Sequence, residues 1–251
     1  MPAEHGGWGL TLEPGLLGLL IAPGLAGLCI ATGAMVAFLV RTPLKIAAVD
    51  RRRGRRLDRT RLAWQVAAVE LVVLSALAGG AVVRAEPWFW LPGVAALPLL
   101  AVEGWFDVRS RGRRLVPELA GAVGVCSVAA MVVLADGGDA RLAVGAWIIL
   151  AARVTTSIPY VRSQIARLHQ RPDPTRAALA GDIAAAGLVL LAVGLDHSLW
   201  AGGLAVLAVI AIQRAATTKP VPRPVNLGLR QMAMGFGIVT ATAAGVALSA
   251  A

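Results

Sequence analysis

Long apolar stretches, each ended by a short polar segment, run the length of this 251-residue chain. They are nearly continuous rather than one-sided, and most approach the roughly 20 residues that a helix needs to cross a hydrocarbon core. About nine transmembrane helices are expected: Trp8 to Ala22, Leu25 to Val40, Leu62 to Val83, Trp88 to Phe106, Pro117 to Leu134, Ala140 to Val161, Thr175 to Leu195, Leu199 to Gln213 and Leu227 to Ala250. The first two runs are short and meet at Pro23-Gly24. A single kinked helix over both is the alternative, leaving about eight spans. The expected fold class is all-α: one polytopic membrane bundle over residues 1–251.

Charge orients that bundle. All but Arg84 and Arg141 of the 24 lysines and arginines fall into four clusters: Arg41 to Arg61, Arg109 to Arg114, Arg153 to Arg176, and Arg214 to Arg230. Each lies at every second junction, as in a chain whose basic loops stay on the cytoplasmic side. The N-terminus is therefore expected in the cytoplasm, and the chain in a bacterial cytoplasmic membrane. A hydrophobic share of 57% fits that reading. The net charge of +10 does not point to nucleic acid, because the topology bias accounts for nearly all of it. Basic loops beside spans do attract anionic lipid headgroups. Cys29 and Cys126 sit in apolar runs and suggest neither a disulfide nor a metal pair.

Ionisable residues inside spans are costly and commonly face a protein interior or a wet cavity. Here they are Glu13, Glu70, Glu103, Arg153 and Asp182, all placed toward the basic side. A shared cavity open to the cytoplasm is one reading; local pairs, such as Glu70 or Asp182 with Arg153, are the other. Arg153, Ser157, Tyr160 and Gln164 follow helical spacing and share a face, with Pro159 expected to interrupt the backbone ladder beside them. Glu103 and Asp107 are one turn apart and could share a Mg²⁺ through water; Asp107 paired with Arg109 or Arg111 is the simpler alternative. The run Arg51 to Arg61 suits either phosphate and carboxylate groups or an anionic lipid surface. Arg41, Lys45, Arg55, Arg56 and Arg162 are the candidate headgroup contacts.

The opening Pro2-Ala3-Glu4-His5-Gly6-Gly7-Trp8 resembles the start of the YwiC-like family of bacterial membrane proteins. Pro43-Leu44-Lys45, the segment from Asp107 to Gly121, Pro159-Tyr160-Val161-Arg162 and Lys219-Pro220 continue the resemblance in order. It implies a site contribution from Glu4, His5 and Trp8. Glu13 departs from the family, in which that segment is usually apolar. The helix number and basic loops are also similar to UbiA-type intramembrane prenyltransferases. That likeness implies the fold but not the reaction, because the Mg²⁺-binding aspartate motifs at the inner ends of spans two and six are absent here.

Three functions follow as expectations. A cytoplasm-facing polar cavity binds the headgroup of an anionic lipid or isoprenoid, with any catalysis unassigned. Alternatively the chain is a non-catalytic assembly factor for a respiratory complex, docking an acidic protein on its basic face. The third is a small transporter, disfavoured by the scarcity of polar groups in the outer half. No cofactor is identified and no metal cluster is expected.

Overall fold

A computed structural model describes residues 5–54, 57–109, 114–172, 174–218 and 220–251. Among the described residues the regular structure is entirely helical. The elements are α1 (His5–Ile21), α2 (Leu25–Arg52), α3 (Asp58–Val82), α4 (Leu91–Val108), α5 (Leu115–Ala135), α6 (Ala140–Leu168), α7 (Thr175–Leu195), α8 (Trp200–Ala216, preceded by a single 3₁₀ turn) and α9 (Pro224–Ala250). α2 to α9, taking that turn with α8, make eight helices long and apolar enough to cross a membrane. The 17 residues of α1 reach about 25 Å, short of a hydrocarbon core of roughly 30 Å. The protein is a multi-pass membrane helix bundle.

α1 and α2 form an antiparallel hairpin, not one kinked helix. Trp8 meets Phe38 edge-on with ring centroids 5.4 Å apart. A side chain at Gly15 would touch Ala31, and one at Gly27 would touch Leu19, so the two helices run past each other in steady register. The turn Ala22 to Gly24 closes the pair, and the Asp136 carboxylate lies where a Gly24 side chain would be. Several helices overrun their apolar stretches: α2 continues to Arg52 and α6 to Leu168. Arginine, lysine and alanine are good helix formers, so the ladder propagates past the membrane boundary that hydropathy marks.

α1 lies within the bundle against α2, α5 and α9, while α6 packs on α5 and α7, and α8 on α7 and α9. α3 leans on α2 and leaves most of its surface outward. Buried Leu17, Leu150, Val154 and Val239 form one core cluster; Ile149, Val189, Leu199, Val206 and Ile238 form another. Outward-facing Val69, Val72, Leu190 and Leu248 suit a lipid surface. Lipid tails supply no hydrophobic driving force between helices, so close packing falls to small residues. Gly124 admits Leu100 of α4, and Gly202 admits Thr242 of α9.

α6 does not break at Pro159. Proline removes the bond that the Thr155 carbonyl would otherwise accept. Gly181 of α7 covers that carbonyl: a Cβ at Gly181 would lie 2.5 Å from the Thr155 oxygen and 3.2 Å from the Pro159 ring. The freed acceptor thus lies directly against α7 in the α6–α7 seam. Gly181→Val is expected to destabilise the protein by about 1–3 kcal/mol through overpacking. Thermal unfolding in detergent, compared with Gly187→Val, where a Cβ meets open space, checks this.

Candidate functional site

The most buried polar assembly begins with Glu13 and Arg153, at 1% and 3% exposure. Arg153 Nη2 donates to Glu13 Oε1 at 2.8 Å and to the Gln231 carbonyl at 2.9 Å. Its Nε lies 2.8 Å from Glu13 Oε2, with the N–H pointing off that line. Gly235 of α9 makes room: a Cβ there would fall 2.0 Å from the Glu13 carboxylate. Three helices therefore meet at one ion pair. It lies 13 residues into α6, about 20 Å from that helix's start.

Polarity continues from this pair toward the basic end. The Gln231 side chain accepts from Gln213 Nε2 at 3.3 Å. Gln213 Oε1 lies 3.2 Å from the Thr156 hydroxyl, which gives its proton to Asp182 at 2.5 Å. The Asp182 carboxylate also accepts from Arg214 Nε and Nη2. Glu13, Arg153, Thr156, Asp182, Gln213, Arg214 and Gln231 thus form one hydrogen-bonded chain across α1, α6, α7, α8 and α9. Arg153 and Asp182 belong to this one hydrogen-bonded chain but do not pair with each other: Arg153 pairs with Glu13, and Asp182 pairs with Arg214. Glu70 stands apart on α3, one carboxylate oxygen buried without a hydrogen-bond partner.

A second assembly joins α2 to α4. Arg41 donates to Asp107 at 2.5 and 2.9 Å and reaches Glu103 at 2.7 Å, while Lys45 donates to Asp107 at 3.0 Å. Asp107 is therefore engaged by Arg41 and Lys45, whereas Arg109 stacks on Trp105 with its guanidinium carbon 3.3 Å from the ring centre. The sequence-based alternative of Asp107 with Arg109 misses this because it counts only neighbours along α4. Glu103 and Asp107 face the same cations, and among the described residues no cluster of three metal-ligating side chains forms. Asp50, buried at the end of α2, accepts from Arg59 at 2.7 and 3.1 Å and from Thr60 at 2.7 Å. Arg162 donates to Glu118 at 2.9 Å.

Of the expected headgroup contacts, Arg41, Lys45 and Arg162 are thus held by carboxylates. Arg55, Arg56, Glu4 and the His5 side chain lie outside the described residues. Trp8 packs on Phe38. Ser157, Tyr160 and Gln164 are buried on the Arg153 face of α6. Sequence reasoning misses Thr156, Gln213 and Gln231, and reads Arg214 only as a topology marker. Gln213-Arg214 at the end of one apolar run and Arg230-Gln231 at the start of the next are the available signal.

Two open volumes lie near the basic end. One, of about 240 Å³, is lined by Val49, Arg52 and Arg53 at the end of α2 and by Val108 and Arg109 at the end of α4. Arg52 also donates to the Val108 carbonyl at 3.2 Å, fixing one helix end against the other. The larger, of about 580 Å³, lies along the first turns of α3 beside Thr60, Arg61, Trp64 and Gln65.

The model of a family described as YwiC-like protein matches residues 1–133, from the N-terminus into α5. No curated protein and no solved structure matches the chain. The matched part holds Glu13 and the α2–α4 assembly; Arg153 and Asp182 lie beyond it.

Removing one partner of a buried ion pair leaves an uncompensated charge, at a cost of about 3–5 kcal/mol. Arg153→Met alone should therefore strip most of the stability of the detergent-solubilised protein. Pairing it with Glu13→Leu should restore much of the loss. Thermal unfolding of the two single variants and the double variant gives the coupling directly.

Proposed function

This chain belongs to the YwiC-like protein family, and from that premise we propose that it binds the anionic headgroup of a membrane lipid or isoprenoid phosphate at its basic end. The volume between the ends of α2 and α4 carries the reading. Arg52, Arg53 and Arg109 surround it, and no carboxylate is bonded to any of the three among the described residues. Nearby acids are engaged elsewhere: Asp50 with Arg59, Asp107 with Arg41 and Lys45. Guanidinium forks match phosphate oxygens with paired hydrogen bonds, and such a group at the membrane surface comes with its apolar chain already in the bilayer.

In this reading the basic end faces the cytoplasm of a bacterial cell, because basic loops stay inside. The helix number and alternating basic junctions support an architectural likeness to UbiA-type prenyltransferases; only a lipid-borne ligand is taken from it, not prenyl transfer. An acidic protein docking on the same face is the competing occupant. Each arginine near an anionic surface contributes about 1 kcal/mol. Replacing Arg52, Arg53 and Arg109 together by Gln should lower retention of anionic lipid roughly a hundredfold. Native mass spectrometry of the protein released from phosphatidylglycerol-containing nanodiscs measures this. Equal retention by the variant, or no stoichiometric anionic lipid on the parent, sinks the reading.

A further inference from the structure

We infer that the inner end of α6, with the start of α9, forms a second oxyanion site that takes a phosphate group on Tyr160, Gln164, Arg167 and Arg230. Tyr160 and Gln164 lie one turn apart on one face of α6, at 8% and 1% exposure. Buried polar groups in folded proteins are almost always hydrogen-bonded. Here the Gln164 amide nitrogen is enclosed with no partner. The Tyr160 hydroxyl likewise bonds no described residue, and it is not sealed in. Two neighbouring unmet groups on one face are a deficit that a ligand can fill.

The surrounding charges say which ligand. Arg167 Nη1 donates to the Thr217 carbonyl at 2.7 Å and to Gln164 Oε1 at 3.4 Å. That hydrogen bond turns the amide's acceptor toward Arg167 and leaves its NH₂ as the free end. Arg230, exposed near the start of α9, and Arg167 both act electrostatically on the Tyr160 phenol. No carboxylate is bonded to either arginine among the described residues, since Asp182 is taken by Arg214 and Glu118 by Arg162. What remains is a set of donors: a phenol hydroxyl, an amide NH₂ and two guanidiniums. A donor-only set selects an anion with several acceptor oxygens, and a phosphate offers more of them than a carboxylate does. The phosphate can arrive free from the water on the basic side or as part of a lipid headgroup. The site lies on α6 and α9, apart from the arginines at the ends of α2 and α4, so it goes beyond the function proposed above.

The test uses the full chain and two probes. Inorganic phosphate is titrated by calorimetry into protein in neutral detergent, and phosphatidylglycerol retention is read by native mass spectrometry from nanodiscs, with phosphatidylcholine discs as the control. Tyr160→Phe removes only a hydroxyl, and Arg230→Gln changes an exposed side chain, so both variants keep the fold. Removing either donor to the charged phosphate should weaken binding about tenfold. Gln164→Glu, which replaces a donor by a like charge, should abolish it. Phosphate binding that follows these variants assigns a free anion; lipid retention that follows them, without phosphate binding, assigns a headgroup. Binding of neither probe, or binding unchanged in all three variants, overturns the site. So does binding that disappears only on Arg52→Gln, which would leave the α2–α4 volume as the sole anion site.

Discussion

A carboxylate and a guanidinium held out of water at the middle of the bundle set the terms for everything packed around them. Neither Glu13 nor Arg153 could face lipid alone without a cost of several kcal/mol. Each therefore fixes the position of the other's helix, and α9 must come close enough to offer the Gln231 carbonyl. That approach is possible only because Gly235 has no side chain to collide with the pair. The amides of Gln231 and Gln213 then need partners, and they find them in Thr156 and, through it, Asp182. One desolvated pair thus propagates order through five helices. A slip of one turn by any of these five helices would strand a polar atom.

The basic end is organised by a different rule. Its cations divide into those with a carboxylate at hand and those without. Arg41, Lys45, Arg59, Arg162 and Arg214 are neutralised by acids from a neighbouring helix or the adjoining turn. Arg52, Arg53 and Arg109 in one place, and Arg167 and Arg230 in another, are bonded to no acid among the described residues. A net charge of +10 is therefore not spread evenly over the surface. Part of it, on Arg52, Arg53 and Arg109, lines an open volume between two helix ends, which is the physical basis for reading lipid or phosphate chemistry there.

The helices are legible because apolar length is a direct consequence of membrane thickness, and only the ends shift, where α2 and α6 run on past their apolar stretches. The in-span charges are legible one by one, since any ionisable residue in an apolar run is conspicuous. Their partners are not. Arg153 meets Glu13 across 140 residues, and Asp107 meets Arg41 across 66. Such pairings depend on which helices become neighbours, and no local spacing encodes that. Gln213 and Gln231 are less visible still, because an uncharged amide near the end of an apolar run looks like an ordinary membrane exit. Pro159 alone predicts an interrupted helix. The interruption is absorbed by Gly181, a residue on another helix that sequence reading has no reason to connect with it.

The separation of 140 residues between Glu13 and Arg153 has a meaning for biosynthesis. Translation at roughly 5–20 residues per second means that the carboxylate leaves the ribosome on the order of ten seconds or more before its guanidinium does. Throughout that interval α1 is a short helix carrying an acid and a proline, a poor candidate for independent insertion. The acid of α1 thus spends that interval without the guanidinium that α6 brings to it.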